Sequence, residues 1–594
     1  MEGAVDPPDY DQIKDWRSIV TLIVFVLANI VVLFPFHIPI YLPQSLYHSF
    51  QDFLSTLRVI PPRPKDQPRH GDLDAPSTGK ARAFVRLNFP MNIVTAPLIA
   101  DLFLLAILAI GRTEVKEGTL GANHISPLDI MIFFISLAYI AISIDASGLI
   151  RYLAFKVLQW GGKVGHRLFF YLYVFFFGLG TFVGNDPIIL SGTAFLAYMT
   201  RVSSNIVHPR AWIYTQFAVA NIASAILVSS NPTNLVLAGA FQIKFIEYTA
   251  NMIVPVIITA IVLFPFLLYI VFASESLIPL SIKMHELPEE ARSRKPVNPN
   301  IPHARGTAEQ QEDSPGEEGK LLSLEEIMNP FVDKGGAAFG AVIMAVTLIA
   351  VLALNAAKTS IGEQPVYYVT LPAAFIMFMW DLGFGWLNRH ETREIARKGR
   401  EELERMELER AMREEDEMKA ALVQQPPQSS DGSLSEQTGA LNAQASPQQP
   451  VNPGKDGSTA GNTLEMSATQ EVGETESSRE KGPEPKASLE KRREEPTTLV
   501  SLARDVFRWS QETFPTATAV ISHLPFALVP FAFAMFVLVQ ALVTKGWVPV
   551  FALGWDKWVQ KTGTIGAIGG MGFVSVVLCK VSFTHSLIAP RKTD

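Results

Sequence analysis

The chain has 594 residues, 48% of them hydrophobic, with mean hydropathy +0.22 and a formal net charge of −7. There is no basic stripe interleaved with aromatics to suggest nucleic-acid binding. The single cysteine, Cys579, excludes an intramolecular disulfide framework and a CxxC metal site. The eleven histidines lack ligand spacing and no ATP-binding P-loop occurs, so neither a structural metal nor a nucleotide motor is expected.

The mean hydropathy averages very apolar runs with very polar connectors. The runs fall at 18–43, 91–111, 127–150, 167–183, 188–200, 211–241, 250–273, 335–354, 367–387, 524–543 and 563–579. A bilayer span takes ~20 residues, so the fold expected is an all-α polytopic membrane protein. An acidic tail, 1–17 (Asp6, Asp9, Asp11, Asp15), precedes the run 18–43, which is too long for a signal-peptide core and reads as a retained first span. The first transmembrane half covers 18–273, a cytoplasmic linker 274–334 and a transmembrane pair 335–387. The loop 388–520 begins as a charged helical pattern to about Met418. From about Gln424 to Glu495 it turns to Ser, Gln, Pro, Gly and Glu, too polar to bury a core, and disorder is expected there. A final region, 521–594, holds the last two apolar runs.

Basic loops stay in the cytoplasm. The stretch 44–90 carries Arg58, Arg63, Lys65, Arg69, Lys80, Arg82 and Arg86, which puts the N-terminus outside. By alternation 151–166 is inside, and its Arg151, Lys156, Lys163 and His166 agree. The segment 201–210 is basic too (Arg201, His208, Arg210). Both flanks of 167–200 therefore prefer one side, which predicts a re-entrant hairpin with its tip at Gly184–Pro187. The run 563–579 follows 524–543 as that hairpin follows 127–150, but from the opposite face, the pattern of inverted repeats.

Two polar breaks carry the chemistry: Gly184-Asn185-Asp186-Pro187, and Ser229-Ser230-Asn231-Pro232-Thr233-Asn234. Hydrocarbon satisfies no backbone polar group, so unwound chain at membrane depth must line a cavity or be held by protein. Asn185 and Asp186 suit the N-cap of the second leg and Pro187 its first turn. Asn231 caps and Pro232 starts a helix in the second break, where unwound carbonyls offer ligands for Na⁺. A pair of proline kinks is the competing account. Asn221 leads into the second break and offers either an amide or helix packing. Asp101 and Asp145 are candidate proton relays. A buried carboxylate bonded to a neighbouring helix is the alternative for Asp101, and a boundary ion pair with Arg151 for Asp145. Asp381 is expected to be interfacial, and the aromatic run Phe169–Phe177 to be packing or lipid-facing surface.

These residues resemble the ion transporter superfamily, which includes arsenite efflux permeases (ArsB-like), NhaD-type sodium/proton antiporters and citrate or dicarboxylate carriers. Phe182-Val183-Gly184-Asn185-Asp186-Pro187-Ile188-Ile189-Leu190 is similar to its Asn-Asp hairpin motif. Ala220-Asn221-Ile222-Ala223-Ser224 with Ser229-Ser230-Asn231-Pro232-Thr233-Asn234 is similar to its Asn-Pro-x-Asn break. The resemblance covers about 90–275 well, is weaker from 335 on, and the long connector suggests a fungal-type member. It implies an inverted-repeat secondary transporter with re-entrant helical hairpins and an elevator-like mechanism. A second tip is expected after Cys579 and does not follow, so the second repeat reads as incomplete.

A carboxylate at Asp186 repels a citrate-like anion unless it is protonated or cation-bound, and the spans lack a Lys or Arg for a polyanion. The preferred solute is a cation, exchanged for protons, or a neutral hydroxide such as arsenous acid (arsenite), antimonite or silicic acid. A citrate/dicarboxylate carrier is the alternative, and a non-transporting receptor or scaffold the reading from another class. No catalytic constellation and no cofactor are expected. Coupling to Na⁺ or H⁺, the lipid bilayer as environment, no nucleic-acid partner, a homodimer and the plasma membrane complete the expectations.

Overall fold

A computed structural model describes residues 10–61, 84–122, 125–203, 205–206, 208–283, 295–304, 328–356, 365–423 and 497–586. The chain forms two compact units, Met1–Met406 with Thr498–Asp594, and Glu407–Thr497. The first holds every element around the site. Residues 424–496 and 587–594 lie outside the described residues, and with them the expectations of a disordered loop and of a chain end without a second tip.

After α1 (Tyr10–Lys14) comes α2 (Trp16–Leu33), one of six helices among the described residues that are long and apolar enough to cross a membrane. The run 18–43 is not a single span, and that expectation is corrected. Pro35, Pro39 and Pro43 remove donors and clash with a preceding helical turn, so the chain leaves α2 for an extended strand, β1 (Phe36–Pro43). Beyond α3 (Gln44–Thr56), β1 pairs antiparallel with β2 (Phe84–Met91), Phe36 opposite Met91. This ribbon is the only sheet among the described residues.

Next come α4 (Thr95–Ala106), α5 (Arg112–Leu120), α6 (Pro127–Ala146), which is buried along most of its length, and α7 (Leu149–Gly161). The hairpin legs are α8 (Gly165–Phe182) and α9 (Asn185–Val202). The second broken helix is α10 (Arg210–Ala223), a 3₁₀ turn (Val228–Ser230) and α11 (Pro232–Ala240). Then α12 (Phe245–Phe266) ends in a π turn, Leu267–Val271. Helix α13 (Lys334–Ala356) precedes α14 (Tyr367–Val423), which carries the apolar span straight on into the charged stretch, as expected. The chain continues through α15 (Leu499–Thr513), α16 (Pro515–His523), α17 (Leu528–Thr544) and α18 (Trp547–Ser586).

The backbone records an internal repeat. Pro127 and Gly148 are spaced as Pro525 and Gly546 are, and the two glycines share left-handed φ values of +83° and +80°. Gly162 (φ +62°, ψ −146°) is matched by Gly563 (φ +67°, ψ −166°). The kink at Gly563 within α18 thus has the backbone conformation of the turn that separates α7 from α8. Packing is exchanged between the halves: α4 and α5, which precede α6, lie on α17, while α16, which precedes α17, lies on α6.

Apolar burial gathers in three clusters. One joins α7–α10 and α12 through Leu168, Phe169, Ile188 and Val219. Another joins α6 to α13, α14 and α16 through Ile140, Met344, Met377 and Val520. The third joins α2, α4 and α17 through Ala28, Leu104 and Leu538. Within the aromatic run, Phe169 and Phe176 are buried while Phe170 and Val174 face outward. Contrary to expectation, Asp381 does not lie close to the end of its helix, and it is only 4% exposed. Because α14 runs well past its apolar stretch, Asp381 sits mid-helix against α6, where its Oδ2 accepts from Tyr139 Oη (2.9 Å) and Ser143 Oγ (2.8 Å).

Candidate functional site

The re-entrant geometry follows from where the legs begin and end. Val164, just before α8, bridges Ser281, and Ile282 N donates to Lys163 O at 2.8 Å. Asn205, just after α9, donates from Nδ2 to Ser281 O, and its Oδ1 accepts from Lys283 N at 3.1 Å. Both outer ends of the hairpin thus hold one short segment, and the reversal lies at the far end, at Val183–Gly184.

Gly184 makes the reversal. Its φ of +97° lies in the region open to glycine, and a Cβ there would sit 2.9 Å from Ser230 O. Gly184 is itself the N-cap of α9, which corrects the expectation that Asn185 or Asp186 caps the leg. Asn185, released from capping, donates from Nδ2 to Asn221 Oδ1 at 3.1 Å. The second break follows expectation more closely: the Asn231 side chain caps α11 by accepting from Thr233 N at 2.9 Å, and Pro232 opens the helix.

The two breaks meet. Ser230 Oγ donates to Thr181 O, one turn before the hairpin tip. Asn234 Nδ2 reaches back to Ser224 O (2.8 Å) and Leu227 O (2.9 Å), so a side-chain amide satisfies two carbonyls that unwinding released. Those two carbonyls are therefore engaged by protein rather than open to an ion. Sequence reasoning missed Gln216. This buried residue of α10 donates to Ile188 O at 2.6 Å and accepts from Thr193 Oγ1 at 3.1 Å, fixing α9 beside α10.

Around the junction lies a cavity of about 370 Å³. Gly184, Asn185, Asp186 and Pro187 form one wall, Ser229, Ser230 and Pro232 another, and Phe133 to Ile142 of α6 a third. His523, Pro525 and Leu528 close it from the second repeat. Of the expected site residues, seven line this cavity: Gly184, Asn185, Asp186, Pro187, Ser229, Ser230 and Pro232. Asn221, Asn231, Thr233 and Asn234 brace its walls instead. The N-termini of α9 and α11 both open onto it, bringing partial positive charge, and α9 has no side-chain cap on its first turn. Asp186 is the only carboxylate among the lining residues, and no Lys or Arg is among them.

A second cavity, about 400 Å³, adjoins the first. It holds Asp145, Arg151 and Ser191, and is covered by segments 295–304 and 329–331, with Asn300 Nδ2 donating to Ala146 O at 2.8 Å. Asp145 and Ser191 lie together there, with Arg151 and His523 close enough to act on the Asp145 carboxylate. Asp101 lines neither cavity. It is buried on α4 beside Ala100 and Leu104, and its Oδ1 lacks a partner.

The profile of the citrate transporter family matches residues 87–390, just over half the chain and all of the hairpin and second break. The chain belongs to the citrate transporter family. With six helices suited to crossing a bilayer, this family member is an integral, multi-pass membrane protein. It is also similar to bacterial arsenical pump membrane proteins. That of Escherichia coli is 29% identical over 163 residues, covering 27% of this chain and 37% of the relative. That of Yersinia enterocolitica is 26% identical over 165 residues, covering 27% and 37%. The chain thus spans little more than a third of the length of these relatives.

Proposed function

We propose that this citrate transporter family member is a secondary active transporter that carries a small neutral hydroxide, arsenite or antimonite, out across the plasma membrane. The observation that carries this reading is the meeting of two helix breaks around one cavity. Both helix N-termini, Ser229, Ser230 and a single carboxylate line the cavity, and no Lys or Arg is among its lining residues. A trihydroxide can donate to Asp186 and accept from the first-turn N–H groups of α9 and the Ser229 hydroxyl. A tricarboxylate would face Asp186 with only partial helix charges to oppose the repulsion. Similarity to arsenical pump membrane proteins supports the same choice. The hairpin would carry the solute as a rigid body, since its own cluster (α7–α10 and α12) is distinct from that of α2, α4 and α17. An ion gradient would supply the energy.

The family to which the chain belongs takes its name from citrate, so citrate is the second reading. Expression of the full chain in a metalloid-sensitive host separates the two. Gain of arsenite tolerance with no citrate uptake supports the first, and citrate uptake without tolerance supports the second. Neither phenotype, with the protein present in the membrane, would contradict transport of both.

A further inference from the structure

Three residues line both cavities: Ile142, Leu190 and His523. Two are aliphatic, so His523 is the one polar side chain on the shared wall. It ends α16, where the chain breaks before α17 at Leu524-Pro525. This third interruption comes from the second repeat and faces the hairpin tip. Neither the motifs nor the comparisons single it out.

The ring's orientation follows from its partners. His523 Nδ1 lies 2.7 Å from Ala519 O, one turn back. A carbonyl only accepts, so Nδ1 carries the hydrogen, and Nε2 is the position that takes up and releases a second proton. Ser522 Oγ lies 3.3 Å from the same Nδ1 and leaves Nε2 untouched. On one side of His523 is the cavity with Asp145, beside Ser191 and Arg151. On the other is the cavity with Asp186. The charged groups that face these spaces are Asp145 from α6, Arg151 from α7, Asp186 from α9 and Lys295 from segment 295–304. Lys295 is exposed and lies 3.6 Å from Glu391 of α14. Helix α17 brings no charged group to either lining. An imidazole that lines both cavities, on a shared wall otherwise aliphatic, is placed to pass protons between a space holding Asp145 and a space holding Asp186.

We propose that His523 is the proton carrier that couples this transporter to a pH gradient, exchanging a proton at Nε2 between the Asp145 cavity and the Asp186 cavity. This assignment rests on the transport reading and deepens it. No covalent bond forms; the proton that leaves one carboxylate binds Nε2, and Nε2 releases it to the other. A replacement that cannot take up a proton should flatten the pH profile of coupled flux.

The test uses the full chain in proteoliposomes with radiolabelled arsenite, antimonite and citrate as probes. Each probe is followed in two modes: flux driven by an imposed pH gradient, and tracer exchange at equal pH and equal solute on both sides. Exchange needs the moving hairpin but no net proton transfer. For His523→Gln the expected result is a ratio of pH-driven flux to exchange at least about tenfold below that of the unsubstituted chain. Unchanged pH-driven flux in His523→Gln would overturn the assignment and leave transport standing. Parallel loss of exchange and driven flux would overturn it too, since that marks a structural role. If the unsubstituted chain moves none of the three probes in either mode, the transport reading itself fails.

Discussion

Asp186 and Asn234 have opposite tasks. Asp186 is the one carboxylate lining the tip cavity, whereas Asn234 is buried and spends its amide on Ser224 O and Leu227 O. Their substitutions should therefore fail differently. Asp186→Asn keeps the shape and removes the charge, so flux should drop by about tenfold or more while the amount of folded protein in the membrane stays the same. Asn234→Leu removes both donors and leaves two buried carbonyls unsatisfied, at about 1–3 kcal/mol each. Its mark should be a lowered thermal unfolding midpoint in detergent. A thermal midpoint equal to that of the unsubstituted chain would show that the unwound carbonyls find other partners. Asp381 belongs with Asn234: Tyr139→Phe takes away one of its two donors. It should lower stability by about 1–3 kcal/mol without altering which solute is carried.

The hairpin as an element is fixed by close approach. A Cβ at Gly192 would lie 2.4 Å from Gln216 Nε2, so glycine is what lets α10 reach the Ile188 carbonyl of α9. Gly192→Ala should destabilise by about 1–3 kcal/mol, and adding Gln216→Ala should recover part of that, because the two changes act on one contact. Purely additive losses in thermal unfolding would contradict the packing described. Much of this element was legible beforehand. The like-charged flanks of 167–200 set its re-entrant form, and the Gly-Asn-Asp-Pro and Asn-Pro-x-Asn breaks gave its tip and its neighbour. The N-cap assignment failed because three adjacent residues could each begin a helix, and only glycine tolerates the φ of the turn. The strand after α2 was hidden because hydropathy does not distinguish an apolar helix from an apolar strand, although the prolines at 35, 39 and 43 were the available signal. Gln216 and His523 had no sequence signal: each matters through residues far away along the chain.

At the scale of the whole molecule, a repeat is written in backbone dihedrals more clearly than in side chains. Gly148 and Gly162 recur as Gly546 and Gly563 with nearly the same φ, while the residues between them differ. The exchange of packing between α4–α5 and α16 ties the halves together, so the tip cavity draws a wall from each. The polar stretch 424–495 belongs to neither half, and a chain lacking it should transport at the unaltered rate in the same vesicles. The central claim is that solute crosses where the two helix breaks meet. Solute flux through purified full-length chain in proteoliposomes, compared with Asp186→Asn and Ser229→Ala variants at matched protein amounts, tests it most directly. The account predicts gradient-driven arsenite or antimonite movement by the unsubstituted chain and its loss, by about tenfold or more, in the Asp186 variant. Equal flux through all three proteins would contradict it.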